Sequence, residues 1–237
     1  MRTGANRRLS ELNEKNELLK GAPFSGGLEL AGASLILVLI WGLTQPVIKA
    51  AFEGMSPFAL IWIRSSVSAL TISAWMLFMR VPDRTTLPSP GAERAHRIIS
   101  GLLHNFYILF LYLGMSGTQA ARASVLLYTQ PIWVMLISAV LLPGERITIR
   151  RVFGFATAMA GTVTIFCQRM SGDSALWADT FIVISAIIWA SQAIHVKRFL
   201  GRSDMFAVTR WAMAIGAPLY FGLTWLSEGG GRYTWGF

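Results

Sequence analysis

Seven apolar runs of about twenty residues, joined by short polar connectors, leave this chain few ways to fold. They cover residues 30–48, 57–79, 98–121, 123–142, 152–168, 177–196 and 205–226. A hydrocarbon core of roughly 30 Å is crossed by about 20 helical residues. Helices of that length satisfy their own backbone groups, which lipid cannot do. Composition agrees: 54% of the 237 residues are hydrophobic and only 14% are charged, against about 25% charged in a soluble domain. A soluble chain of this size has too much surface to hide so much apolar area. The sequence therefore predicts an all-α membrane protein, a multi-pass bundle of seven transmembrane helices.

The basic residues set its expected orientation. Arg2, Arg7, Arg8, Lys15 and Lys20 precede the first run; Arg80, Arg84, Arg94 and Arg97 follow the second. Arg146, Arg150 and Arg151 follow the fourth, and Lys197, Arg198 and Arg202 follow the sixth. That places fifteen on one side, against Arg122, Arg169 and Arg232 on the other. The positive-inside rule then puts the N-terminus in the cytoplasm, in the inner (cell) membrane. The same asymmetry accounts for the net charge of +9 without nucleic acid, and it offers anionic lipid a contact surface on the cytoplasmic face. Residues 1–27 read as a polar cytoplasmic lead-in. Arg7-Arg8-Leu9-Ser10 touches on a twin-arginine signal, but the apolar run starts late and no small-residue cleavage site follows. The connector from Arg80 to Arg97 reads as the other loop of any size.

A shift of 148 residues lays the first run on the sixth. Ile36, Ile40, Trp41 and Lys49 meet Ile184, Ile188, Trp189 and Lys197, and Phe58-Ala59 meets Phe206-Ala207. An odd number of spans separates the copies, so they face opposite ways. Inverted repeats with a midplane site are an architecture of secondary transporters.

The run from Trp41 to Lys49 (with Gln45 and Pro46), then Ser56-Pro57-Phe58 and Arg64, resembles the opening of the drug/metabolite transporter superfamily in its EamA-type domain. So do Arg122-Ala123-Ser124, Tyr128, Pro131, Gly144-Glu145-Arg146 and Gly161, in that order. Asp179, ten residues before Trp189, resembles the start of a second such domain. The resemblance implies two inverted five-helix repeats that carry a small metabolite, amino acid or drug by alternating access. Residues 28–170 would form the first repeat and 176–237 a partial second one of two helices. Three helices of an expected ten would then be absent. A truncated, non-transporting remnant, or an assembly partner of another membrane protein, is the competing expectation.

Candidate binding residues are Trp41, Gln45, Arg64, His104, Tyr128, Trp189 and Gln192. Arg64 lies about 10 Å into its span, where an arginine either faces a wet cavity or snorkels to the interface. Trp41 and Trp189 sit near the midplane, away from the interfaces tryptophan favours. Gln45 and Gln192 follow them at i+4 and i+3, on about the same helix face. His104 titrates near neutral pH in water and either couples protons or holds structure. Tyr128 and Pro131 mark a kinked fourth span. Lys49 and Lys197 end their helices and read as interfacial anchors that also interact with a helix C-terminal dipole. Gly154, Ala158 and Gly161 allow close helix approach, within the fold or in a homo-oligomer through the fifth helix. No cofactor is implied. The chain lacks a Gly-x4-Gly-Lys loop and paired midplane carboxylates, which argues against an ATP-driven pump and against an enzyme.

Overall fold

A computed structural model describes residues 27–80, 90–142, 147–166, 175–201 and 203–227. The expected lead-in therefore lies outside the described residues, as do Cys167 and most of the loop before residue 90. Among the described residues there are helices and no strand. They are α1 (Gly27–Ala51), α2 (Pro57–Phe78), α3 (Pro90–Ser116), α4 (Ala120–Leu127), α5 (Gln130–Leu141), α6 (Ile149–Phe166), α7 (Leu176–Phe199) and α8 (Met205–Ser227). By length and composition α1, α2, α3, α4 with α5, and α7 are apolar enough to cross a membrane. In α6 the apolar run is diluted by Arg150 and Arg151 with its Gly and Thr residues, and in α8 by Arg210 with Gly, Pro and Thr.

Local chemistry sets the helix ends. Ser56 caps α2, its hydroxyl accepting from the Ala59 amide at 3.2 Å, and Pro57 opens the helix with the φ it already prefers. At the other end Arg80 takes a positive φ of 51°, which stops the helix. The fourth span is broken where its sequence predicts a kink. Pro131 has no amide to donate, and its ring excludes the carbonyl four residues back, that of Leu127. Accordingly α4 ends at Leu127 and α5 begins at Gln130. Thr129 bridges the break, donating to the Leu126 carbonyl at 2.7 Å and accepting from Trp133 Nε1 at 3.2 Å.

The third span needs correction. Its helix starts at Pro90, so Glu93, Arg94 and Arg97 belong to α3 and not to a loop. Glu93 and Arg97 are one turn apart and form a 2.7 Å ion pair that is almost wholly buried. Ser203 Oγ donates to the same carboxylate at 2.8 Å.

The chain divides into two compact units, 1–47 and 48–237. The first contains most of α1, an apolar helix. In the second, α3 packs against α7 and α8, α2 against α8, and α5 against α7. Glycines permit the closest of these contacts. A Cβ at Gly114 would stand 2.6 Å from Ile182 Cγ1, and one at Gly101 2.8 Å from Ile215 Cδ1. Ring contacts of Trp62 with Phe221 and of Phe110 with Phe181, both at 5.3 Å, extend the same seams. Ile61, Tyr112, Met115, Ile182 and Tyr220 form the centre of the core.

Candidate functional site

Arg64 stands exposed on α2 one residue before the buried Ser65. Its guanidinium lies near enough to act electrostatically on His104, Tyr107, Tyr112 and Tyr220. Three phenols and an imidazole from α3 and α8 thus lie within electrostatic reach of one guanidinium. His104 and Tyr107 are edge to face at 5.9 Å. The Gln192 side chain of α7 approaches His104, and Gln130, at the start of α5, approaches Tyr107. His104 Nε2 is buried without a hydrogen bond among the described residues. Helices α2, α3, α5, α7 and α8 therefore all contribute to one polar patch inside otherwise apolar spans. An arginine held open beside neutral hydroxyls can accept a carboxylate, and buried amides beside it can fix the rest of a polar solute.

Beneath this patch lies a packing lock. Asn105 Nδ2 donates to the carbonyls of Gly101 at 2.7 Å and Ala212 at 2.9 Å. The Asn105 carbonyl accepts from the Tyr220 hydroxyl. Buried polar groups in a membrane need such partners, and here they tie α3 to α8.

The candidate residues do not all gather here. Arg64, His104 and Gln192 do. Trp189 instead lines a cavity of about 650 Å³ between α5, α6 and α7, whose lining includes neither Arg64 nor His104. Tyr128 caps α4 at the break and is 44% exposed. Trp41 and Gln45 sit on α1 within the first unit, Trp41 exposed and Gln45 half-buried. Tyr107, Tyr112 and Tyr220 escaped the sequence reading. Spacings of five residues on α3 and more than one hundred to α8 give no local signal that they share a neighbour.

The two ends of the bundle carry separate polar clusters. At one end Lys49 Nζ donates to the carbonyls of Met115 at 2.9 Å and Thr118 at 2.8 Å. It therefore faces the C-terminal dipole of α3, a different helix from its own. Beside it Arg122 and Asp179 form an ion pair at 2.5 Å, with Thr118 Oγ1 donating to Asp179 at 3.3 Å. At the opposite end, beside the Glu93–Arg97 pair, the ring of His96 stacks on Phe199 at 4.3 Å and lies 5.2 Å from that of His195. His195 is thus packed against α3. Arg198 there donates to the Leu141 carbonyl at 3.1 Å, closing α5. The described basic residues 94, 97, 150, 151, 197 and 198 accordingly collect at one end. Among the described residues no group of three His, Cys, Asp or Glu side chains is placed to hold a metal. Among the described residues a Cβ at Gly154 or Gly161 would have no neighbour within 4 Å, so neither glycine mediates helix packing there.

Residues 30–167 match the family model of the EamA-like transporter family. The chain belongs to that family. Among curated proteins it is similar to an "Uncharacterized transporter YoaV" of Bacillus subtilis, 23% identical over 194 residues, covering 81% of this chain and 65% of the relative. It is 25% identical over 178 residues to a "Probable amino-acid metabolite efflux pump" of Escherichia coli, covering 74% of this chain and 56% of that one. It is 26% identical over 169 residues to an "Aromatic amino acid exporter YddG" of Ancylobacter novellus, covering 68% and 56%. The chain thus spans less than two thirds of the length of these relatives. A crystal structure shares its fold at a TM-score of 0.63 and 24% identity, covering 86% of this chain and 67% of the other.

Proposed function

We propose that this family member serves the passage of a small zwitterionic or anionic organic solute, such as an amino acid, across the cell membrane by alternating access. The observation that carries the reading is Arg64, exposed about a third of the way along an apolar helix and within electrostatic reach of Tyr107, Tyr112, Tyr220 and His104. An arginine in a span is expensive unless it serves a wet site. In the proposed mechanism its planar fork binds a carboxylate, while His104 and Gln192 contact the rest of the solute. The names of relatives as amino-acid exporters support the substrate class.

Two clusters at opposite ends suit the two closures that alternating access requires. The Lys49, Arg122 and Asp179 contacts would close one entrance, and the Glu93–Arg97–Ser203 contacts with the His96–Phe199 stack would close the other. The antiparallel packing of α2 on α8, Ser65 beside Gly216 and Trp62 beside Phe221, supports halves of opposite orientation. With the basic end inside, the N-terminus lies in the cytoplasm. Solute uptake by proteoliposomes tests the proposal. Arg64→Ala should abolish flux and binding of amino acids without loss of helix content, and Arg64→Lys should restore only part, since lysine lacks the bidentate fork. Undiminished binding by both variants would refute it.

A further inference from the structure

The cavity that Trp189 lines is set apart from the Arg64 patch, and its chemistry is that of an amphiphile. We propose that the groove between α5, α6 and α7 is a specific binding site for an anionic phospholipid. One acyl chain lies along the groove and the phosphate rests between Arg151 and Lys197.

The groove exists because α6 makes its main contacts with the short α4 and not with α5 or α7. Its volume is about 650 Å³. Val134 and Met135 of α5, Phe155 of α6, and Trp189 with Ala193 of α7 give it apolar walls. Gly154 leaves its floor open, since a Cβ there would meet nothing within 4 Å. The two cations are confined to one end. Trp189, Ala193 and Lys197 follow one another at four-residue intervals on one face of α7, so Lys197 stands roughly 12 Å from Trp189 along the axis. Arg151 lies in the first turn of α6, at the same end. This is the end where Arg198 closes α5, which puts both cations at headgroup level.

Shape and charge together choose the occupant. A small polar solute would leave the apolar length unfilled and would gain little from Phe155 or Trp189. An acyl chain is narrow enough, is present at high concentration beside the groove, and brings its phosphate to the depth of the two cations. The guanidinium of Arg151 can bind phosphate oxygens in pairs, and Lys197 adds a point charge.

Lipids brominated along the acyl chain quench nearby tryptophan and supply the test. The full-length protein in detergent is titrated with brominated phosphatidylglycerol or brominated phosphatidylcholine. The Trp189 contribution is the difference from the Trp189→Phe variant. Each basic residue near an anionic headgroup is worth about fivefold in affinity, so the glycerol lipid should quench Trp189 at a mole fraction at least tenfold lower. Arg151→Gln with Lys197→Gln should erase that preference but keep quenching at high lipid. Arg151→Lys with Lys197→Arg should preserve it, which controls for folding. Gly154→Leu should fill the groove and suppress Trp189 quenching by both lipids. Equal quenching by the two lipids, unaltered by the charge and Gly154 variants, would mean ordinary boundary lipid and overturn the proposal. So would absence of quenching with concentration-dependent cross-linking through Gly154→Cys, which would assign the groove to a second copy. Loss of the phosphatidylglycerol preference in millimolar inorganic phosphate, with quenching by both lipids retained, would assign a free-anion site and overturn it as well.

Discussion

The backbone of Gly216 on α8 lies directly against the side chain of Asn105 on α3. A Cβ at Gly216 would fall on Asn105 Oδ1 and would also press on Ser65 Oγ at 3.2 Å. Three helices meet at that point, and the glycine is what lets them. Asn105 can then reach the Ala212 carbonyl one turn away, while Tyr220, one turn the other way, reaches the Asn105 carbonyl.

Gly216→Ala should therefore destabilise the protein by about 1–3 kcal/mol, the usual penalty for overfilling a packed site. Gly222→Ala, where a Cβ would have open space, should be nearly neutral. Unfolding in mixed micelles by SDS, followed by circular dichroism, compares the two.

The Arg122–Asp179 pair, with side chains 32% and 13% exposed, should show measurable coupling. In a double-mutant cycle with Arg122→Ala and Asp179→Ala, the interaction energy should be about 1 kcal/mol. Additive losses would mean that each residue acts through other partners.

Lys49→Met should remove the charge that faces the C-terminus of α3 and should destabilise by about 1 kcal/mol, since two carbonyls lose a donor. Lys49→Arg should retain most of the stability. The same micelle unfolding assay reads both.

The basic end of the bundle should face the cytoplasm. In a Cys167→Ser background, a cysteine at Glu53 should react with an impermeant thiol reagent applied outside intact cells, and one at Ile147 should react only after permeabilisation. The reverse pattern would invert the topology drawn from the arginines and lysines.

Helix number, the kink at Pro131 and the segregation of basic residues were legible because each depends on short-range pattern. The start of α3 was not. A reading that begins at the first apolar residue, Ile98, omits the charged turns before it, yet Glu93 and Arg97 neutralise each other and so can be buried inside a helix. The same blindness hid the Arg122–Asp179 pair, whose members are 57 residues apart. At the Arg64 patch, the sequence marked the residues that are costly in lipid, namely Arg64, His104 and Gln192. It could not mark the tyrosines, because a tyrosine in a span is unremarkable until its neighbour is known. Trp189 was singled out for its depth, and depth alone does not say which side of α7 it faces.

The pairing of α3 with α7 and α8 also bears on how the protein is made. Asn105 emerges from the ribosome 107 residues before Ala212, the partner that satisfies it. At about 5–20 residues per second, the wait is about 5–20 s. During that interval α3 must remain beside the translocon or borrow a polar partner, with His104 and Asn105 facing surroundings that cannot hydrogen-bond them. Helix α8, made well after the third, is thus the one that secures it, and this part of the bundle cannot close until α8 has been synthesised.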